Sequence, residues 1–169
     1  EENILWSFAP HDISVILSLV GEEPVEVTAT GTNTLHPKIA DTTVTNLKFA
    51  SGVGAHIFVS WLHPFKEQKM VVIGERKMVV FDDTAPISQK LMLYPHQIFW
   101  KGGIPVPQKK DGFSIDLSKD WVEPLTKEGQ AFINAINGQN ALTDAEEGLR
   151  VLKVLQRAQT SMDKTNNLT

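Results

Sequence analysis

Residues 44–61 read as two strands with room between them for nothing but a turn. Thr45, Leu47 and Phe49 fall on one face of the first, with Val44, Asn46 and Lys48 on the other. In the second, Ala55, Ile57, Val59 and Trp61 share a face opposite His56, Phe58 and Ser60. A period of two marks a strand with one face buried, and the break Ala50-Ser51-Gly52 is too short to permit anything but antiparallel pairing. Any fold this chain adopts is built around that hairpin.

The neighbouring segments extend the pattern. Val25, Val27 and Ala29 alternate with Glu26, Thr28 and Thr30, which predicts a further strand. After the loop His63-Pro64-Phe65-Lys66, strands over Lys69–Ile73 and Met78–Phe81 flank a turn at Gly74–Lys77, completing a meander. Residues 82–122 carry Pro86, Pro95, Pro105, Pro107, Gly102, Gly103 and Gly112, which suits loops and short edge strands.

Helical periodicity brackets these strands. Ile13, Ile16, Leu17 and Val20 recur at helical spacing within Trp6–Val20, with Pro10 in a first turn and Gly21 as the stop. A second helix is predicted over Pro124–Ile136, with Leu125, Phe132, Ile133 and Ile136 inward. Thr143 and Glu146 form a capping box for a third, whose stripe is Val151, Leu152, Leu155, Ala158 and Met162. Clustered strands with segregated helices define an α+β fold: an open, predominantly antiparallel sheet with helices packed on one face. Phe58 would leave the other face apolar and uncovered, so a partner subunit or domain is expected there, and a homo-oligomer through this open face. Residues 1–162 are expected to form one domain and residues 163–169 a polar, fraying tail.

Composition narrows the function. The formal net charge is −4, and the densest basic group is the pair Lys109 and Lys110, which argues against nucleic acid or a polybasic membrane patch. With no cysteine, thiol catalysis and thiolate metal sites are excluded, in keeping with a cytoplasmic protein. No apolar run approaches the roughly 18 residues of a membrane span. The chain opens at Glu1 without Met or a signal-like start and reads as a piece of something longer.

Few residues carry candidate chemistry. The nearest match to a dinucleotide loop, Gly52-Val-Gly54-Ala-His-Ile57, has Ile at its third position and leads into a strand, so it reads as a hairpin turn. His11, in the run Trp6-Ser-Phe-Ala-Pro-His11-Asp12-Ile13, is either a proton-transfer group beside an aromatic pocket or merely part of a helix start. His36, His56, His63 and His96 lack metal-ligand spacing. Lys66 is either a point charge for an anionic substrate group or a solvated turn lysine. Asp82-Asp83 is a carboxylate pair or the end of a strand.

Taken in order, these segments resemble the C-terminal domain of the Gfo/Idh/MocA oxidoreductases. Trp6–Leu17 followed by Gly21–Val27 is similar to that domain's opening, whose first helix carries Asp-x-x-x-His. Ser60–Lys66 and Val71–Asp83 resemble its central hairpin, and Glu123-Pro124-Leu125 and Thr143–Leu152 its closing helices. Within the family the wording is nearest the branch that oxidises UDP-N-acetylhexosamines or their uronic acids at C3.

The resemblance implies a substrate-binding and oligomerisation domain that works with an N-terminal Rossmann domain absent from this chain. That domain would bring NAD or NADP and a lysine from a Glu-Lys-Pro motif. Hydride would pass from the sugar carbon to the nicotinamide, while the lysine and the histidine matching His11 manage the hydroxyl proton. The family aspartate falls at Ser7 here, so its carboxylate is missing. Lys66 is then a candidate substrate contact and Trp61 a packing or sugar-stacking residue. Without a dinucleotide fold the chain alone is expected to be inactive and to bind no cofactor. The alternative, for which Ser7 is the best hint, is a non-catalytic oligomerisation or sugar-binding module.

Overall fold

The computed structural model describes residues 2–108, 110–119, 121–141 and 143–166; Glu1, Lys109 and the tail positions 167–169 lie outside them. The chain divides into two compact units, one made of Glu1–Leu62 with Ala131–Thr169 and the other of His63–Gln130.

The first unit begins with helix α1 (Ile4–Val20). The Asn3 side chain caps it by accepting from the Trp6 amide at 3.4 Å, and Ile4 and Leu5 are fully buried. Capping and burial together start the helix six residues before Pro10, which sits in its interior instead of its first turn. Proline leaves the Trp6 carbonyl without its helical donor. Gly21 ends the helix in the left-handed region, φ 76°, and its amide donates to the Leu17 carbonyl at 2.9 Å.

Strands β1 (Pro24–Thr32), β2 (Thr42–Phe49) and β3 (Gly54–Ser60) follow as an antiparallel sheet in the order β1-β2-β3. The sequence alternation predicts its faces correctly at β2 and β3: Leu47, Phe49, Ile57 and Val59 are buried, and Phe58 is half exposed opposite them. Val25 departs from its expected face. The pairing slips between Pro24 and Glu26, and this bulge turns Val25 out of line with Val27 and Ala29.

Helix α3 (Ala145–Asn166) closes the unit, running past Asp163, where a frayed tail was expected. Its cap is Asp144, whose Oδ1 accepts from the Glu147 amide at 2.9 Å, so the Thr143–Glu146 box is displaced by one residue. Val151, Val154, Leu155, Ala158 and Met162 are buried at spacings of three and four, whereas Leu152, expected among them, is half exposed at the edge of the stripe. Both α1 and α3 cover the sheet face that carries Leu47 and Ile57. Gln159 Oε1 ties the two helices, accepting from Asn3 Nδ2 at 2.8 Å and Trp6 Nε1 at 3.0 Å. Each fully buried Leu or Ile in this core contributes about 1.5–3 kcal/mol.

The second unit is entirely antiparallel. Strands β4 (Lys69–Ile73), β5 (Met78–Asp82), β6 (Leu91–Tyr94) and β9 (Phe113–Ile115) pair in the order β4-β5-β6-β9, with a 3-10 turn at Ile87–Gln89. Strands β7 (Gln97–Lys101) and β8 (Ile104–Gln108) form a separate ribbon. Its two-residue turn is Gly102-Gly103, φ 59° and 80°, the pair of positive angles that a tight hairpin of native twist requires. Among the described residues the expected open sheet is thus realised as three sheets, all antiparallel, with helices on one face of the first. In the ribbon Trp100 pairs with Pro105 and Ile98 with Pro107. Neither proline can donate to β7, so both nitrogens face the outer edge of β8.

One expectation fails outright. Helix α2 (Pro124–Ile136) is amphipathic, but Leu125, Phe132, Ile133 and Ile136 are 74%, 68%, 52% and 70% exposed. Periodicity identified the apolar face, and none of the described residues buries it.

Candidate functional site

Helix α1 presents two opposite stripes. Leu5, Ala9, Ile13 and Leu17, four residues apart, form the buried one. Ser7, His11 and Val15 follow the same spacing about half a turn away, which points them from the core. His11 therefore lies inside the helix, not at its start, and is exposed. Ser7 is one turn earlier and its Oγ donates to the Asn3 carbonyl at 3.3 Å. The hydroxyl is spent on its own helix and is not directed at the imidazole.

Next to His11, Asp12 is half-buried. Burial pushes its carboxyl above the usual carboxylate range, partly offset by the His11 charge. No hydrogen bond joins them among the described residues, so His11 has no fixed general-base partner within the unit. As an exposed imidazole on a rigid helix it can still exchange a proton with a hydroxyl placed against that stripe.

Trp61 follows β3 and is 39% exposed. Its amide donates to the Asp41 carbonyl at 2.9 Å, which fixes the backbone while leaving part of the indole free for stacking. Asp41 is itself buried. Its Oδ2 accepts from the Thr34 and Leu35 amides, each at 2.6 Å, while Oδ1 has no partner among the described residues. Thr43 Oγ1 and Thr45 Oγ1, at the next two inward positions of β2, are buried and unpartnered as well. This polar row was missed in the sequence. Its only signal was Asp-x-Thr-x-Thr at inward-facing positions of an otherwise apolar strand.

Lys66 belongs to the second unit and is not a free cation. Its Nζ bonds Asp83 Oδ2 at 2.8 Å, while Lys90 Nζ bonds Asp83 Oδ1 at 2.8 Å and also the Asp83 carbonyl. The Lys66 and Lys90 hydrogen bonds hold the Asp83 carboxyl below its usual range. Lys90 is only 8% exposed and lies 5.5 Å from the centre of the Trp121 ring. Two ammonium groups on one carboxylate leave a net positive cluster, so Lys66 can still attract an anion at the surface. Asp82 takes the bland reading: it accepts from Thr84 Oγ1 at 2.6 Å and the Thr84 amide at 3.0 Å, ending β5 in a turn.

The structure brings Ser7 and His11 onto one helical stripe; Trp61 lies in the same unit, and Lys66 in the other. Gly52-Val-Gly54 joins β2 to β3, and no helix N-terminus stands behind it to receive a pyrophosphate. Among the described residues no group of three or more His, Asp or Glu side chains gathers to hold a metal ion. Nor is any helix there long and apolar enough to cross a membrane.

An α+β unit of one antiparallel sheet, with two helices on one face and an exposed histidine on the first, defines the class. Residues 1–80 match the family model described as the GFO/IDH/MocA C-terminal domain. Nearly the whole fold recurs in solved dehydrogenases. UDP-N-acetylglucosamine 3-dehydrogenase GnnA from Acidithiobacillus ferrooxidans aligns with a TM-score of 0.74 at 20% identity, over 96% of this chain and 48% of that one. The WlbA dehydrogenase from Bordetella pertussis, solved with NADH and UDP-GlcNAcA, aligns at 0.63 and 21% identity over 93% and 41%. Scyllo-inositol dehydrogenase from Lactobacillus casei, solved with NAD(H) and scyllo-inositol, aligns at 0.67 and 20% identity over 98% and 47%. At such identities the likeness shows the fold alone, and the chain spans about half the length of these structures or less. No curated protein matches the sequence.

Proposed function

We propose that this chain is the substrate-binding and oligomerisation half of an NAD(P)-dependent sugar or nucleotide-sugar dehydrogenase, inactive without a Rossmann half. One observation carries the reading: 96% of the chain is accounted for by less than half of a UDP-N-acetylglucosamine 3-dehydrogenase. The absence of a fitting dinucleotide loop in this sequence agrees with it. The cofactor, NAD or NADP, supplies hydride acceptance when bound to the partner half; this chain's residues hold and orient the sugar.

In that role His11 exchanges the proton of the reacting hydroxyl, from a stripe of α1 that faces away from its own core. Trp61 offers an indole face to the sugar ring, and the Lys66–Asp83–Lys90 cluster attracts the substrate's negative charge. The half-exposed Phe58, on the sheet face left open by the helices, marks the surface for a second copy. The polypeptide acts in the cytoplasm.

A fusion to a Rossmann half carrying Gly-x-Gly-x-x-Gly tests the proposal. The fusion should reduce NAD or NADP with UDP-N-acetylglucosamine or its uronic acid, read at the nicotinamide absorbance, while the chain alone should not. His11→Ala in the fusion should lower kcat by about 10²–10⁴. A folded fusion that binds dinucleotide but turns over no sugar or nucleotide sugar refutes the assignment. The alternative, a non-catalytic binding or assembly module, draws on Ser7, whose hydroxyl is bonded back to Asn3 and gives His11 nothing to work with. Under that reading His11→Ala changes no measurable property of the fusion.

A further inference from the structure

One cleft of the second unit gathers three cations. Arg76 and Lys77, from the β4–β5 turn, and Lys110 line a cleft of about 600 Å³, with Gln97 beside them and Glu75 as the one carboxylate among the described residues that line it. The turn is closed by the Gly74 amide donating to the Lys77 carbonyl at 2.9 Å, which fixes where Arg76 and Lys77 emerge. Three other lysines of the unit have carboxylate partners: Lys66 and Lys90 on Asp83, Lys69 on Asp82. The three cleft cations have none among the described residues. Three like charges around one concavity repel each other, and an anion bridging them relieves that repulsion.

We propose that this cleft is a binding site for a phosphate-bearing anion carrying two or more negative charges. Arg76 supplies a planar fork suited to two phosphate oxygens at once, and Lys77 and Lys110 supply mobile point charges. Gln97 adds a neutral donor. Among the described lining residues Pro95 is the only cyclic side chain, so a nucleobase has no aromatic floor to stack on. Recognition rests on the phosphates. The ligand is therefore either a free diphosphate or phosphorylated metabolite, or the diphosphate of a larger molecule whose remainder lies outside the cleft. The site does not depend on the dehydrogenase reading.

The test is titration calorimetry on the whole chain at low salt with inorganic pyrophosphate, UDP-N-acetylglucosamine and, as the phosphate-free control, uridine. Pyrophosphate should bind and uridine should not. Arg76→Ala and Lys110→Ala should each weaken pyrophosphate by about tenfold or more, and raising salt should weaken it further. Both residues are exposed, so circular dichroism should show the fold unchanged. Equal weakening of UDP-N-acetylglucosamine supports the site and assigns it to a nucleotide-borne diphosphate; weakening of pyrophosphate alone supports it and assigns it to a free phosphate. Pyrophosphate that fails to bind, or binds both variants as it binds the parent chain, overturns the proposal.

Discussion

Gly31 lies where β1 passes beneath α3, and adding one methyl group there tests the packing between them. A Cβ at this position would stand 2.5 Å from Met162 Sδ and 3.1 Å from Ala40 Cβ. Ordinary contact begins at about 3.5 Å. Met162 is flexible, but at 2% exposure it has no open space to swing into, and Ala40 has no side-chain torsion with which to yield. Overpacking of this kind costs about 1–3 kcal/mol. Alanine returns about 0.5–1 kcal/mol because it loses less backbone freedom than glycine within a strand. The steric term wins, and Gly31→Ala should destabilise by about 1–2 kcal/mol. Met162→Ala alone should cost about 2–5 kcal/mol through the cavity it leaves. In the double variant the new methyl occupies part of that cavity, so the combined loss should fall short of the sum by about 1 kcal/mol or more. Urea unfolding followed by tryptophan fluorescence measures all three, and Trp6, bonded to Gln159 between α1 and α3, reports on this region. Unchanged or increased stability for Gly31→Ala, or additivity within about 0.5 kcal/mol, would refute the packing inferred here.

Other perturbations reach different parts of the molecule. Asp144→Ala removes the cap of α3 and should lower stability by about 1 kcal/mol, seen as a lower Tm; no change would show the cap to be idle. Asp82 is held at about 2 by the Thr84 hydroxyl first, with Lys69 and the Thr84 amide adding to it. Its folded value lies below the unfolded one of 3.8, so its stabilisation is present above that pH and disappears as pH falls toward 2. Asp82→Asn should flatten acid unfolding across that window, and an unaltered acid limb contradicts the assignment. Phe58→Lys puts a charge on the open sheet face. The proposal that a second copy packs there predicts a sedimentation mass lowered toward that of one chain, and an unchanged mass refutes it.

Local periodicity made the strands readable, because a period of two is set by the backbone alone. Hence the faces of β2 and β3, with Leu47 and Ile57 in and Phe58 out, follow directly from the sequence. The antiparallel α+β class follows from the same pattern. Features that depend on distant partners were not legible. Amphipathicity located the apolar face of α2 but is silent about what covers it, so Phe132 and Ile136 were wrongly placed inward. Lys66 could be singled out as a cation, yet its engagement by Asp83, 17 residues away, depends on how the turns fold back. His11 was found by its setting, but its position inside α1 depends on Asn3 and on burial of Ile4 and Leu5, which outweigh the usual placement of a proline at a helix start. The cleft cations were invisible for the same reason: Arg76 and Lys110 meet only in three dimensions.

The ribbon of β7 and β8 combines two properties that seldom coexist safely. Trp100 and Ile98 project from one face and Phe99 and Val106 from the other, all at least 43% exposed, which makes it one of the stickiest segments of the chain. Strands of that composition are normally templates for fibril growth, since a bare edge recruits the next strand through main-chain hydrogen bonds. With Pro105 and Pro107 at its outward positions, β8 offers a newcomer carbonyls at those residues but no matching amides. The ribbon can therefore be gripped through its side chains by a surface shaped to receive it, while cross-β stacking cannot propagate along that edge.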